Sequence, residues 1–206
     1  MKAIQLVLAG LIISMVCFAQ EQEKKDEIKT LFGKVDSHGG YGALTFGISK
    51  IDGSEGVFLG GRGSWVIGHG FAIGLGGTGF FNNFSYDEML FDDYHYEGGY
   101  GGIYLEPIIL GKMPVHISLP MFFGVGGIAY ASRYYETWDG WDNNVEDIDE
   151  FLIVEPGAEL ELNVFKCFRV AFYASYRYTT EIDLINTDKD VLNGLSTGIT
   201  FKIGKF

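Results

Sequence analysis

Cysteine, proline, positive charge and long apolar runs are all scarce in this chain, and each scarcity closes off a class of structure. Only two cysteines occur, Cys17 and Cys167. Cys17 lies in the opening stretch "MKAIQLVLAGLIISMVCFA", where Lys2, an apolar run from Leu6 to Val16 and small residues at Cys17 and Ala19 have the layout of a secretory signal peptide cleaved after Ala19. Ser14, Met15 and Val16 fit a lipidation box before Cys17 poorly. The mature chain then keeps Cys167 alone and cannot build an internal disulfide framework. After residue 19 no unbroken apolar run reaches the roughly 20 residues a membrane helix needs, so any spanning of a membrane falls to a closed barrel. Lysine and arginine number 15 against 27 acids, for a net charge of -12 at pH 7. No basic stripe supports nucleic-acid binding. No cysteine–histidine metal spacing occurs, and no cofactor is expected. "GLGGTGFFNNF" at 74–84 lacks the Lys-Ser/Thr and the following helix of a phosphate loop, and reads as strand.

What is plentiful is glycine, 30 residues of 206, roughly twice ordinary usage. It clusters inside apolar stretches such as "FLGGRGSW" and "EGGYGGIY". Glycine weakens a strand unless the sheet bends tightly or backbones approach closely, and a small closed barrel needs both. The acids are also clustered. Residues 82–97, 136–150 and 179–190 hold sixteen of the 27 acids and one lysine, Lys189. Alternation between turn signals gives eight strands, near 40–50, 55–67, 71–82, 96–111, 114–135, 151–163, 168–179 and 194–205. Connections at 68–70, 111–114 and 163–167 are short, whereas 83–95, 136–150 and 180–193 are long and acidic; 51–54 is a short turn on the long-loop side. The domain reading is a signal peptide at 1–19, a mixed-charge periplasmic leader at 20–37 and a barrel over 38–206.

The faces decide which way the barrel is turned. In 114–135, Val115, Ile117, Leu119, Met121, Phe123 and Val125 oppose His116, Ser118, Pro120, Phe122, Gly124 and Gly126. In 194–205, Leu195, Ile199, Phe201 and Ile203 oppose Ser196, Gly198, Thr200 and Lys202. A soluble eight-stranded cup would crowd the bulky set into an interior only just wide enough to fill. The reverse arrangement puts the apolar set against lipid and the small and charged set inside. The fold class is thus all-β, an eight-stranded antiparallel up-and-down transmembrane β-barrel. Its inferred lumen carries Glu106, Glu155, Glu159 and Glu161 against Arg62, Arg169, Arg177 and Lys202, a balance that predicts a salt-bridged filling and no open channel. Two aromatic belts are expected at the headgroups: Tyr130, Tyr134, Tyr135, Trp138, Tyr176 and Tyr178 toward the long loops, and Trp65, Phe71, Phe165 and Phe168 toward the short turns.

On these residues, the chain over 38–206 resembles the small outer-membrane β-barrels of the OmpA transmembrane-domain or OmpX kind. The resemblance implies an outer-membrane location after removal of the signal peptide, contact with outer-membrane lipid and lipopolysaccharide, and a monomer. It also implies insertion by the outer-membrane barrel machinery, which in that class recognises a last strand ending in Phe; Phe206 matches, with Ile203 and Phe201 as the apolar alternates. Here Phe206 is out of phase with Ile203, Phe201 and Ile199.

Two constellations offer chemistry. "PVHISLP" puts His116 and Ser118 on one face two residues apart, as in barrels resembling lipid A deacylases, with Glu106 on the neighbouring strand as the orienting acid. That pair follows a short turn, on the periplasmic side. "ETWDGWDNN" at 136–144 offers Asp139, Asp142 and Asn143 as oxygen ligands for calcium, without EF-hand spacing. The expected function is structural, or surface interaction through acidic aromatic loops, and not enzymatic. The alternatives are a membrane-embedded lipid hydrolase using His116 and Ser118, a narrow pore, and a soluble lipocalin-like carrier.

Overall fold

The computed structural model describes residues 37–88, 92–132 and 145–206. Among the described residues ten strands occur in chain order: β1 (His38–Ile51), β2 (Ser54–Ile67), β3 (Phe71–Asn82), β4 (Ser85–Asp87), β5 (Asp92–Ile109), β6 (Val115–Ser118), β7 (Met121–Ser132), β8 (Val145–Phe165), β9 (Phe168–Thr179) and β10 (Gly194–Lys205). Every pairing is antiparallel, and β1 pairs both β2 and β10, so the sheet closes on itself. Closure removes the edge strands of the ring itself, whereas the short β4 pairs only β5.

The ring has eight staves. β6 and β7 share one stave, because Ser118 faces Glu159 and Met121 faces Pro156 without a change of register. What parts them is a meeting of three of the four prolines, Pro107, Pro120 and Pro156, on adjacent staves. A proline has no amide hydrogen to give the ladder. Leu119 still donates to Pro107 O and Gly157 to Pro120 O, so the seam stays closed. β4 is a short extension hydrogen-bonded to the start of β5. The β1–β2 hairpin turns on Asp52-Gly53, both at positive φ (50° and 71°), the conformation in which an Asp-Gly pair matches strand twist.

Outside and inside are exchanged relative to a soluble protein. Leu44, Ile48, Leu75, Val125, Leu195 and Ile203 are each at least 60% exposed, while Lys202, Glu161 and Arg177 are at most 1% exposed. Inward glycines make room for this filling: a Cβ on Gly126 would stand 2.6 Å from the Phe151 ring and from Gly99 O.

Two expectations about the loop end change. β5 begins at Asp92 and β8 at Val145, so much of the acidic sequence at 92–97 and 145–150 is strand that continues the wall, not loop. Tyr130 is not part of an outer belt; it turns inward, 7% exposed, and stacks on Tyr94 at 4.7 Å. Tyr176 and Tyr178 do face outward near that end, as do Trp65 and Phe165 near the short turns. Tyr134, Tyr135 and Trp138 lie outside the described residues.

A sealed lumen as candidate functional site

The lumen is built in layers. At its centre the Lys202 ammonium of β10 sits among three carboxylates: Glu106 Oε1 at 2.7 Å, Glu159 Oε2 at 2.6 Å and Glu161 Oε1 at 2.6 Å. These acids, from β5 and β8, offer oxygens within 4.8 Å of one another, a donor set that suits a hard cation. The lysine takes that place. Arg62 of β2 donates to both oxygens of Glu159 at 2.9 and 2.8 Å and stands 3.4 Å from Glu106. Arg169 of β9 donates to Glu161 at 3.2 Å. Tyr41 of β1 donates to Glu106 and accepts from Arg62 Nε at 3.2 Å. Three acids and three bases are thereby cross-linked, all at most 8% exposed. Buried ions persist only when paired and hydrogen-bonded.

The remaining two predicted lumen charges stand apart from this cluster. Glu155 accepts from Tyr100 at 2.9 Å and Ser175 at 2.6 Å. Arg177 donates to Ser49 Oγ at 2.9 Å, to Ser196 Oγ and to the Leu192 carbonyl at 3.0 Å, and its guanidinium lies 4.1 Å from the Phe58 ring centroid. Its partners are hydroxyls, a carbonyl and a ring. Between the cluster and the loop end is a cavity of about 50 Å³, walled by residues that include Arg62, Tyr100, Phe122 and Glu155.

Both mouths are closed by side chains. Toward the loops, Phe58, Phe80, Tyr96, Tyr130, Phe151 and Ile153 pack with Ile182, Leu184, Val191 and Leu192 of the 180–193 loop. That loop is pinned at its backbone: Asp149 accepts from the Asp183 amide at 2.7 Å and Asp147 from the Ile185 amide at 3.0 Å. Toward the short turns, Tyr41, Val66, Ala72 and Ile108 pack with Phe206. Phe206 turns inward, stacking on Tyr41 at 5.5 Å beneath the Arg169 guanidinium at 3.7 Å. Ile203 and Phe201 face outward.

The hydrolase constellation is not assembled. His116 and Ser118 do share the inner face, 2% and 0% exposed. His116 Nε2 lies 3.0 Å from Glu161 and 3.1 Å from Arg169 Nη1, and Ser118 donates to Glu159 at 3.2 Å. The acid beside the histidine is Glu161, whereas Glu106 serves Lys202 and Tyr41. A relay needs the base on the nucleophile's hydroxyl, and here the hydroxyl points to a carboxylate. Asp139, Asp142 and Asn143 lie outside the described residues. Sequence reasoning passes over Tyr41 and Ser49, whose hydroxyls complete the lumen with that of the inward-assigned Ser196, and over the loop that covers it. The available signal was the quartet Ile182, Leu184, Val191 and Leu192 inside an otherwise acidic stretch.

A closed eight-stranded antiparallel ring, apolar outside and ion-paired within, defines the class: a lumen-sealed β-barrel. No family model matches the chain, and no curated protein matches it. Among solved structures the chain is similar to Neisserial surface protein A (NspA), with 12% identity over 82% of this chain and 97% of that one and a TM-score of 0.49. It is also similar to Ail, the attachment invasion locus protein of Yersinia pestis, in complex with the heparin analogue sucrose octasulfate. That match has 13% identity over 82% and 98% of the two chains and a TM-score of 0.43.

Proposed function

We propose that this protein is an outer-membrane β-barrel with a structural or surface-interaction role, exerted through its loop end and not through its lumen. The observation that carries the reading is the exchange of faces: exposed Leu, Ile, Val and Phe around the ring, with six cross-linked ionic groups inside. An apolar wall of this kind is stable against lipid and not against water. On this reading the partners are outer-membrane lipid, lipopolysaccharide and the barrel-insertion machinery, and the protein works as a monomer. Plugs at both mouths speak against a conducting pore, and the filled lumen against a ligand carrier. The arrangement of Ser118 speaks against hydrolysis.

Gel mobility in SDS, boiled against unboiled, on the outer-membrane fraction tests the reading. A closed barrel resists SDS until heated, so a mobility shift is expected; a soluble periplasmic protein without a shift would overturn the proposal. Ser118→Ala is expected to leave lipid A acylation unchanged, and a loss of deacylation in that variant would restore the hydrolase.

A further inference from the structure

Two glycines of the outer wall, Gly79 and Gly127, are not required by packing in the way the inner ones are. A Cβ on Gly79 or Gly127 would meet nothing closer than 3.8 or 3.7 Å, whereas one on the inward Gly126 would clash at 2.6 Å. By register, Leu59, Gly79, Gly99, Gly127 and Glu150 form one row across β2, β3, β5, β7 and β8. Four strand spacings of about 4.8 Å make this row about 19 Å long. Its middle is bare backbone. Gly79 and Gly127 of this row floor a shallow groove of about 790 Å³ on the outer wall, flanked by Leu59, Phe81, Phe84 and Ile148, each at least 43% exposed.

One end of the groove is polar. On its loop side His95 and Glu97 stand two residues apart on β5, with Nε2 to carboxylate 3.4 Å, and the Glu97 side chain is 53% exposed. The imidazole is fixed by Ala131 O at 3.1 Å and by the Phe84 ring, 4.3 Å between centroids. Exposed Glu150 ends the Gly127 row. An apolar trough with the accessible Glu97 carboxylate on its loop side complements a molecule with a hydrocarbon tail and an ammonium in its headgroup.

We propose that this groove holds one phospholipid with a primary-amine headgroup, an acyl chain lying over Gly79 and Gly127 and the ammonium against Glu97. The proposal rests on the membrane-barrel reading above. Anionic lipids such as phosphatidylglycerol or lipopolysaccharide bring phosphate toward Glu97 with no ammonium to offset it and are disfavoured there.

Native mass spectrometry of the detergent-purified full chain tests the site, with phosphatidylethanolamine, phosphatidylglycerol or lipopolysaccharide added in turn. One phosphatidylethanolamine is expected to stay bound under activation that strips phosphatidylglycerol. Gly79→Leu and Gly127→Leu fill the trough and are expected to weaken retention about tenfold. Gly42→Leu and Gly63→Leu, which add the same side chain to open outer-wall positions elsewhere, are expected to leave retention unchanged. Glu97→Gln is expected to keep a bound lipid and lose the preference for the amine headgroup. Equal retention by the trough-filled and control variants, or preference for phosphatidylglycerol or lipopolysaccharide, would overturn the proposal. The SDS mobility shift is read on every sample: a shift without selective retention removes the lipid site alone, and no shift in the unsubstituted chain removes the barrel reading beneath it.

Discussion

The two halves of the lumen solve the same filling problem by opposite means. Toward the short turns, Lys202, Glu106, Glu159, Glu161, Arg62 and Arg169 hold one another through directional contacts of 2.6–3.4 Å. Toward the loops, Phe58, Phe80, Tyr100, Phe122 and Phe151 fill space by ring packing, with the 180–193 loop laid over them. The ionic half depends on each member, since removing one leaves its partners charged and buried. The aromatic half depends on volume and tolerates exchanges that conserve it. One half specifies which strands meet, and the other supplies apolar burial.

That contrast can be broken most severely at Lys202. Lys202→Met leaves three buried carboxylates to two arginines and is expected to destabilise the barrel by about 3–5 kcal/mol, read as a drop in the urea midpoint in detergent micelles. Lys202→Arg should fail to restore it, because a planar fork cannot reproduce a three-way ammonium contact. A variant of either kind with the original midpoint would mean that the cluster is not cross-linked as described. Next in size, Leu192→Ala should cost about 2–5 kcal/mol, whereas Leu192→Met should cost under about 1.5 kcal/mol. If Met were as harmful as Ala, the aromatic half would be as exacting as the ionic one.

Smaller effects sharpen the two margins. Phe206→Ala removes a half-buried ring that bridges Tyr41 and Arg169 and should cost about 1–2 kcal/mol, seen as loss of the SDS-resistant form at a lower temperature. At the other margin, the hydrogen bond and charge of Glu181 hold the Lys189 ammonium above the ordinary lysine range. A raised folded value gives stability that is present below that range and lost as pH rises through it. Both side chains are well over half exposed, so solvent screens the pair. Lys189→Met should therefore leave the urea midpoint unchanged at neutral pH and also at pH 11.

Period-two alternation sorted the two faces because burial in a closed sheet alternates strictly: Lys202 and Ile203, neighbours in sequence, are 0% and 63% exposed. Alternation does not report depth along a strand or which staves adjoin across the lumen. Adjacency therefore pairs Glu106 with His116, whereas Lys202, 96 residues away in sequence, claims it. Tyr130 shares its parity with Phe122 and faces inward for that reason, although its height near the loops suggested an outer belt. The acidic stretch 145–150 hides a strand because dense charge suggests a loop, while Asp147 and Asp149 use theirs to anchor loop amides. Phe206 followed its parity, and the inward position it takes is the one its phase against Ile203 indicates.

The position of Lys202 on the last strand ties charge balance to ring closure. Glu106 and Glu161 belong to β5 and β8, which precede β10 in the chain. Without β10 the central cluster holds three acids and the two bases Arg62 and Arg169. The same strand that supplies the missing cation also completes the wall by pairing β1 at one side and β9 at the other. One strand thus both seals the ring and balances its contents, and a ring closed without it would leave one buried carboxylate of the cluster without a cation.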